Sequence, residues 1–371
     1  MTTTKGLEGI VATTSSISSI IDGILTYRGI DIDELAEKAT FEEVAYLLWY
    51  GKLPNQSELD QLLSDLSANS AIPTAVIDQM RLYPKDTNSM AALRTAVSSL
   101  SLYDLSANDM SRDANVLKAI KLQAQIPTVI AAFARIREGK EVISPKSGVS
   151  IAENFLYMLT GDKPDKVAIE ALDKALVLHA DHELNASTFA ARVTVATLSD
   201  IYSGVTSAIG ALKGPLHGGA NEAVMAMLDE IGSLDNVESY VNKKLENKEK
   251  LMGFGHRVYK NGDPRAKHLE KMSRALGEIT GNMKWYDMSI KIEEIVTGKK
   301  GLRPNVDFYS ASCYTYLKIP RDLFTPIFAI SRASGWTAHI LEQYDNNRLI
   351  RPRAEYTGPV NQSYVPIDQR S

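Results

Sequence analysis

The chain is short of cysteine, of net charge and of long apolar runs, and each shortage excludes something. Among 371 residues only Cys313 is a cysteine, so no intrachain disulfide can form and no zinc site can rest on thiolates. That suits a reducing compartment. Basic and acidic residues nearly cancel, 41 against 45 for a net charge of −4, which leaves no basic footprint of the kind that gathers nucleic acid. No apolar run approaches the length required to span a bilayer. The opening Met1-Thr-Thr-Thr-Lys5-Gly-Leu-Glu8 lacks the apolar stretch of a signal peptide and already carries an acid. A globular, cytoplasmic protein is expected, without nucleic-acid or membrane partners. At roughly 150 residues per domain, the length allows one large domain or two unequal ones.

Strand-forming sequence is confined to the beginning. Thr13 to Ile21 is rich in Ser, Thr and Ile, and Asp22-Gly23 separates it from Ile24-Leu-Thr-Tyr27. Asp-Gly between β-favouring runs is a strong short-range hairpin signal. From Thr40 onward the pattern is helical. Thr40-Phe-Glu-Glu43 reads as a capping box, Gly51 as a helix stop, and Asn55 as the cap of a helix striped by Leu59, Leu62, Leu63 and Leu66. Helical periodicity recurs over 113–126, 166–203, 219–231, 264–276, 284–296 and 322–346, and 166–203 contains neither Gly nor Pro. Strands do not alternate with helices, so a parallel sheet is disfavoured. The fold expected is all-α, multi-helical and two-domain, with a short N-terminal β-hairpin. Residues 218–316 form the smaller domain, inserted between 1–217 and 317–371.

Several constellations suggest chemistry. His217 sits in Lys213-Gly-Pro-Leu-His217-Gly-Gly-Ala-Asn221, a loop running into a helix, whose amides would keep the imidazole neutral and a hydrogen-bond donor. A plain turn before a helix is the alternative. His256 lies in Gly253-Phe-Gly-His256, where the glycines admit a ligand to the backbone, and Asp263-Pro264 reads as a helix start with Arg265 on the first turn. An imidazole beside a guanidinium suits a carbonyl and a carboxylate on one substrate. The spacing is not that of a dinucleotide fingerprint. Asp307, in Asn305-Val-Asp307-Phe, is either a buried base of raised pKa or a helix N-cap. His179-Ala-Asp-His182-Glu183 matches no metal motif. Arg332, on an apolar face with Phe328 and Trp336, needs an anionic partner, whereas Arg348, Arg351 and Arg353 read equally as a solvated tail.

Together, Ile21-Asp-Gly23, Tyr27-Arg-Gly29, His179-Ala-Asp-His-Glu183, Gly214-Pro-Leu-His-Gly218, Gly253-Phe-Gly-His256, Asp263-Pro-Arg265, Asn305-Val-Asp307, Ser331-Arg332 and Arg351-Pro352 resemble the citrate synthase family over nearly the whole chain. The likeness is to its compact, dimeric bacterial form. The resemblance implies the condensation of acetyl-CoA with oxaloacetate and water to citrate and CoA. Coenzyme A then enters only as the acetyl-CoA substrate, and neither a permanently bound cofactor nor a metal is implied. Asp307 corresponds to the base that removes a methyl proton, His217 to the donor at the thioester oxygen, and His256 to the group that polarises the oxaloacetate carbonyl. Arg265 and Arg332 correspond to carboxylate clamps, and Arg351 to one reaching across a homodimer. His182 and Asn185 correspond to further oxaloacetate contacts, Asn185 only with a one-residue gap.

On the coenzyme side, the resemblance assigns the Leu251, Met252, Gly253, Phe254 and Gly255 backbone to an adenine cradle, with Lys260 at a phosphate and Asn305 nearby. The extra N-terminal segment of longer, NADH-inhibited relatives is missing, so no NADH regulation is expected. The related reading is 2-methylcitrate synthase, the same chemistry on propionyl-CoA. One methyl is worth only about 1–3 kcal/mol in a pocket. A non-catalytic helical scaffold is the alternative of another class, and the intact histidines, aspartate and arginines speak against it.

Overall fold

A computed structural model describes residues 5–7, 9–256, 258–259 and 262–370. Its only sheet among these residues is the N-terminal ribbon of β1 (Ser18–Ile21), β2 (Ile24–Tyr27) and β3 (Ile30–Asp31). Ser18 faces Tyr27 and Ile21 faces Ile24 across the first pair; Thr26 faces Asp31 across the second. Asp22 and Gly23 take φ of 52° and 82°, the left-handed geometry that lets a two-residue loop match the strand twist. Arg28 and Gly29, at 50° and 84°, repeat the device and add the third strand, which the sequence pattern did not reveal.

Among the described residues sixteen α-helices follow: α1 (Ile32–Lys38), α2 (Phe41–Tyr50), α3 (Gln56–Ala68), α4 (Thr74–Arg81), α5 (Ser89–Leu100), α6 (Arg112–Arg137), α7 (Ile151–Thr160) and α8 (Lys166–His179). Then come α9 (Ala186–Val195), α10 (Ile201–Leu212), α11 (Ala220–Ile231), α12 (Val237–Glu246), α13 (Ala266–Thr280), α14 (Lys284–Lys300), α15 (Val306–Tyr316) and α16 (Phe324–Asp345). The all-α expectation holds. The capping boxes at Thr40 and Asn55 both form, and Gly51 ends α2 at φ 78°.

Two expectations need correction. The helical stretch 166–203 is three elements, interrupted at 180–185 and 196–200. At the first break Glu183 takes a φ of 50° and its carboxylate accepts the Ile20 N–H of β1 (2.7 Å), while Asp181 turns inward to Ser18 and His339. Tertiary hydrogen bonds, rather than Gly or Pro, stop the helix. The helix expected over 113–126 instead runs through Pro127 to Arg137. Ile126, Val129, Ile130 and Phe133 are buried around the proline, and this packing offsets the missing backbone bond. By length and composition alone α6 is long and apolar enough to cross a bilayer, but its apolar stretch is mostly buried inside the protein, as in a core helix.

The core is continuous, with α16 at its centre. This helix packs against α2, α6, α8, α9 and α10 and buries Arg332, Trp336 and His339. Elsewhere α13 lies between α8 and α15, which brings the beginnings of α13 and α15 towards the α8–α9 loop. Two carboxylates, one buried and one half-buried, join helix ends. Glu42 of α2 accepts the N–H of Ile151 at the start of α7 (2.8 Å), and Asp173 of α8 accepts that of Phe41 at the start of α2 (3.2 Å).

Candidate active site

One cavity of about 680 Å³ gathers His182, Asn185, His217, His256, Arg265, Asp307 and Arg332 on its walls. Leu184, Phe189, Leu216, Val306 and Phe328 supply its apolar surface, and Gly6, Leu7, Ile10 and Ala12 of the N-terminal segment close one side. The polar groups come from the α8–α9 loop, the α10–α11 turn, the segment before α13, the first turn of α15 and the middle of α16.

His217 occupies the turn between α10 and α11. Gly218 must follow it, because a Cβ there would lie 2.2 Å from the Leu212 carbonyl oxygen. The ring is neutral: burial above all, helped by the Arg332 charge, lowers its pKa to about 4. The Ser187 N–H donates to Nε2 (3.2 Å), with Ser187 Oγ 2.7 Å away. Nε2 is therefore the acceptor, and the proton of the neutral ring sits on Nδ1. The amide that fixes this tautomer belongs to the first turn of α9, not to α11, the helix that follows His217. Ser187 Oγ is itself held by the Trp336 indole N–H (3.0 Å). Neither Ser187 nor Trp336 was singled out as functional from sequence. An Asn-x-Ser helix start at 185–187 was the available signal, concealed by reading 166–203 as unbroken.

His256 shows the opposite tautomer. The backbone N–H groups of Val258 (3.1 Å) and Tyr259 (3.3 Å) point at Nδ1, which places the proton on Nε2. Burial, and then the Arg265 charge, lower its pKa. His182 is likewise neutral, held well below the usual histidine value by burial and by Arg265, Arg332 and His256. Its Nε2 meets the Tyr259 hydroxyl at 3.0 Å.

Asp263 makes the expected cap contact, its Oδ1 accepting the Arg265 N–H (3.1 Å), although regular α-helix begins only at Ala266. The same carboxylate also binds the Arg265 guanidinium twice, Oδ1 to Nε at 2.9 Å and Oδ2 to Nη2 at 2.8 Å. A buried guanidinium requires such a partner. The same carboxylate accepts the Val306 N–H (3.0 Å), tying this segment to the start of α15. Asn305 caps that helix by accepting the Asp307 N–H (3.1 Å), so Asp307 is not the cap. Asp307 lines the cavity, and among the described residues no hydrogen bond to its carboxylate is formed. Burial raises its pKa to about 6, against the lowering influence of Arg265 and Arg332 and with the support of Asp263.

Arg332 is buried on α16. Its Nε donates to the His179 carbonyl (2.7 Å) and its Cζ lies 4.6 Å from the centre of the Phe328 ring. Burial draws its pKa down to about 10, and among the described residues no carboxylate forms an ion pair with it. This unmatched positive charge faces the cavity.

The remaining candidates are placed unevenly. Asn185 lines the cavity, but its Oδ1 accepts from Thr188 N–H (3.1 Å) and Ser187 Oγ (2.8 Å), so its side chain serves the α9 cap. Residues 253–255 run beside 303–305, with Gly255 N–H on the Arg303 carbonyl (3.1 Å), Asn305 N–H on that of Gly253 (2.8 Å), and the Asn305 amide on that of Gly255 (3.0 Å). Gly253, at φ 81°, lies where a Cβ would approach Phe308 Cδ2 to 2.7 Å. Leu251 and Phe254 are buried and Met252 partly so; this ribbon adjoins the cavity without lining it. Lys260 lies outside the described residues. Arg351 is exposed beyond α16 and outside the cavity of its own chain. His179 turns away, its Nδ1 on the Ala175 carbonyl (2.7 Å).

Two neutral imidazole donors, a carboxylate of raised basicity and two guanidinium groups can together hold anionic and carbonyl oxygens and move a proton. Comparison with known proteins places the chain among relatives. Residues 6–353 match the family described as citrate synthase, C-terminal domain. Citrate synthase 2 of Bacillus subtilis is 63% identical over 372 residues, covering 100% of both chains. The 2-methylcitrate synthase 1 of Corynebacterium glutamicum is 42% identical, covering 99% of this chain and 98% of that one. Among solved structures, the citrate synthase of Thermoplasma acidophilum in ternary complex with carboxymethyl coenzyme A and oxaloacetate superimposes with a TM-score of 0.91 at 38% identity, covering 98% of each chain.

Proposed function

The chain belongs to the citrate synthase family, and on that premise we propose that His217, His256 and Asp307 carry the condensation of acetyl-CoA with oxaloacetate. The observation that supports this reading is the convergence of these three groups, with Arg265 and Arg332, on one cavity. The greater distance to the 2-methylcitrate synthase favours acetyl-CoA over propionyl-CoA.

A thioester methyl group is a very weak acid, and a carboxylate removes its proton only if the forming oxyanion is held at the same moment. Asp307, without competing donors on its carboxylate, takes the proton. His217 offers Nδ1–H to the thioester oxygen and, being neutral, holds the forming enolate by a hydrogen bond, its proton shared with the oxygen as the enol character develops. The enol carbon then attacks the oxaloacetate carbonyl, polarised by Nε2–H of His256, which delivers its proton to the new alkoxide. Arg265 and Arg332 hold the oxaloacetate carboxylates, where a planar two-bond grip outperforms an ammonium group. His182 adds a further contact. Water finally hydrolyses citryl-CoA to citrate and CoA.

The coenzyme end belongs to the 251–255 ribbon, Asn305 and Lys260. Residues 218–316 act as a lid over the remainder, a division supported by the supply of His256, Arg265 and Asp307 from that segment alone. The working unit is a cytoplasmic homodimer in which Arg351 completes the partner's site; its exposed position beyond α16 is compatible with that role.

The test is release of free thiol from acetyl-CoA that depends on oxaloacetate, compared with propionyl-CoA under the same conditions. A higher kcat/KM for acetyl-CoA is expected. A clear preference for propionyl-CoA overturns the assignment of substrate, and no thiol release from either overturns the assignment of the site.

A further inference from the structure

Tyr259 is 3% exposed, and it touches three of the groups assigned to oxaloacetate. Its hydroxyl lies 3.0 Å from Nε2 of His182. Its ring centre lies 4.6 Å from that of His256 and 5.6 Å from that of His182, and the Arg265 Cζ lies 5.8 Å from it. Its backbone N–H is one of the two that fix the His256 tautomer. Burial pushes the phenol pKa well up, so the hydroxyl keeps its proton and forms a neutral bond to a neutral imidazole. His182 and Tyr259 lie on opposite sides of the proposed lid boundary, and this hydroxyl joins them directly.

We propose that Tyr259 is a positioning residue of the oxaloacetate half-site: its hydroxyl orients His182, while its ring and backbone hold His256 and Arg265, so the groups that grip the substrate are set relative to one another before it arrives. The proposal rests on the assignment of His182, His256 and Arg265 to oxaloacetate. Preorganisation of this kind improves binding by removing the need to order the site on arrival. It acts on the ground-state grip on oxaloacetate, and no acetyl-CoA group is involved.

Tyr259→Phe retains the ring and the backbone and removes only the hydroxyl. Loss of one neutral hydrogen bond predicts an increase of about five- to tenfold in the oxaloacetate KM. The acetyl-CoA KM and kcat should stay within about twofold, and Tm should be nearly unchanged. Oxaloacetate affinity measured by calorimetry without acetyl-CoA should fall by the same factor. In a His182→Ala background, or His182→Asn if the alanine variant does not fold, the Tyr259→Phe effect should disappear, because the hydroxyl acts through that ring. An oxaloacetate KM that is unchanged or lower in Tyr259→Phe, while His182→Ala raises it, overturns the role of Tyr259 alone. A joint fall in Tm and in affinity for both substrates overturns it in favour of a purely structural contact. An oxaloacetate KM untouched by His182→Ala overturns the assignment of the half-site on which the proposal depends.

Discussion

Asp263 holds Arg265 through two hydrogen bonds while accepting the Val306 N–H with the same carboxylate. One acid thereby fixes the guanidinium proposed to clamp the substrate and the helix that presents Asp307. Asp263→Asn should destabilise the protein by about 3–5 kcal/mol, the penalty of leaving a buried charge without its partner. The Asp307 pKa should also fall, because a negative neighbour is lost and the Arg265 charge is no longer neutralised. Denaturant unfolding reads the first effect, and a shift of the acid limb of kcat/KM to lower pH reads the second.

In the unmodified protein that limb should lie near pH 6, with activity rising as Asp307 loses its proton. The same carboxyl sets a stability trend of opposite sign. Its pKa is raised above the unfolded value, so the folded state favours the protonated form, and stability is lost as pH rises from about 4 through about 6. Asp307→Asn should therefore abolish turnover and yet raise Tm above pH 6, with little difference at pH 4. Thermal unfolding across this range checks it; an unchanged Tm at pH 8 counts against the burial argument.

Asp173 offers a second stability test, remote from the cavity. Burial, and then the neighbouring Glu42, raise its pKa to about 7. Its contribution is fully present below about pH 4, the unfolded value, and is lost as pH rises from there through about 7. Asp173→Asn still accepts the Phe41 N–H but carries no charge. We expect a higher Tm than the parent at pH 8, nearly equal Tm at pH 4, and unaltered kinetic constants.

The proposed sharing of Arg351 between subunits predicts complementation. Arg351→Gln and Asp307→Asn should each be nearly inactive as homodimers. After joint unfolding and reassembly, a mixed dimer carries one site with both Asp307 and the partner's arginine, so activity should reappear. Titration of one variant into the other, followed by thiol release, measures this; no recovery would place Arg351 in its own chain's site.

Features set by neighbouring residues were legible in the sequence. The Asp22-Gly23 hairpin, the Thr40 and Asn55 capping boxes and the helical stripes depend on contacts within a few positions. The histidines and Asp307 proposed as catalytic were legible through their glycine- and proline-marked loops and through the family resemblance. What escaped was fixed at long range. The break at 180–185 is made by β1 and α16, the His217 tautomer by an amide 30 residues earlier in the chain, and the Asp263–Arg265 pair by the need to bury a guanidinium. Tyr259 escaped for the same reason, since nothing local indicates that its hydroxyl reaches His182.

The cavity draws its walls from positions as distant as Leu7 and Arg332, and this spacing bears on how the protein regains function after unfolding. Helices such as α2 and α3 carry their own start signals and can form early, whereas the groups proposed as catalytic meet only once α16 has threaded the core. Contacts of such long sequence separation form slowly. Recovery of turnover should accordingly trail recovery of helical circular dichroism, making activity the later clock of refolding.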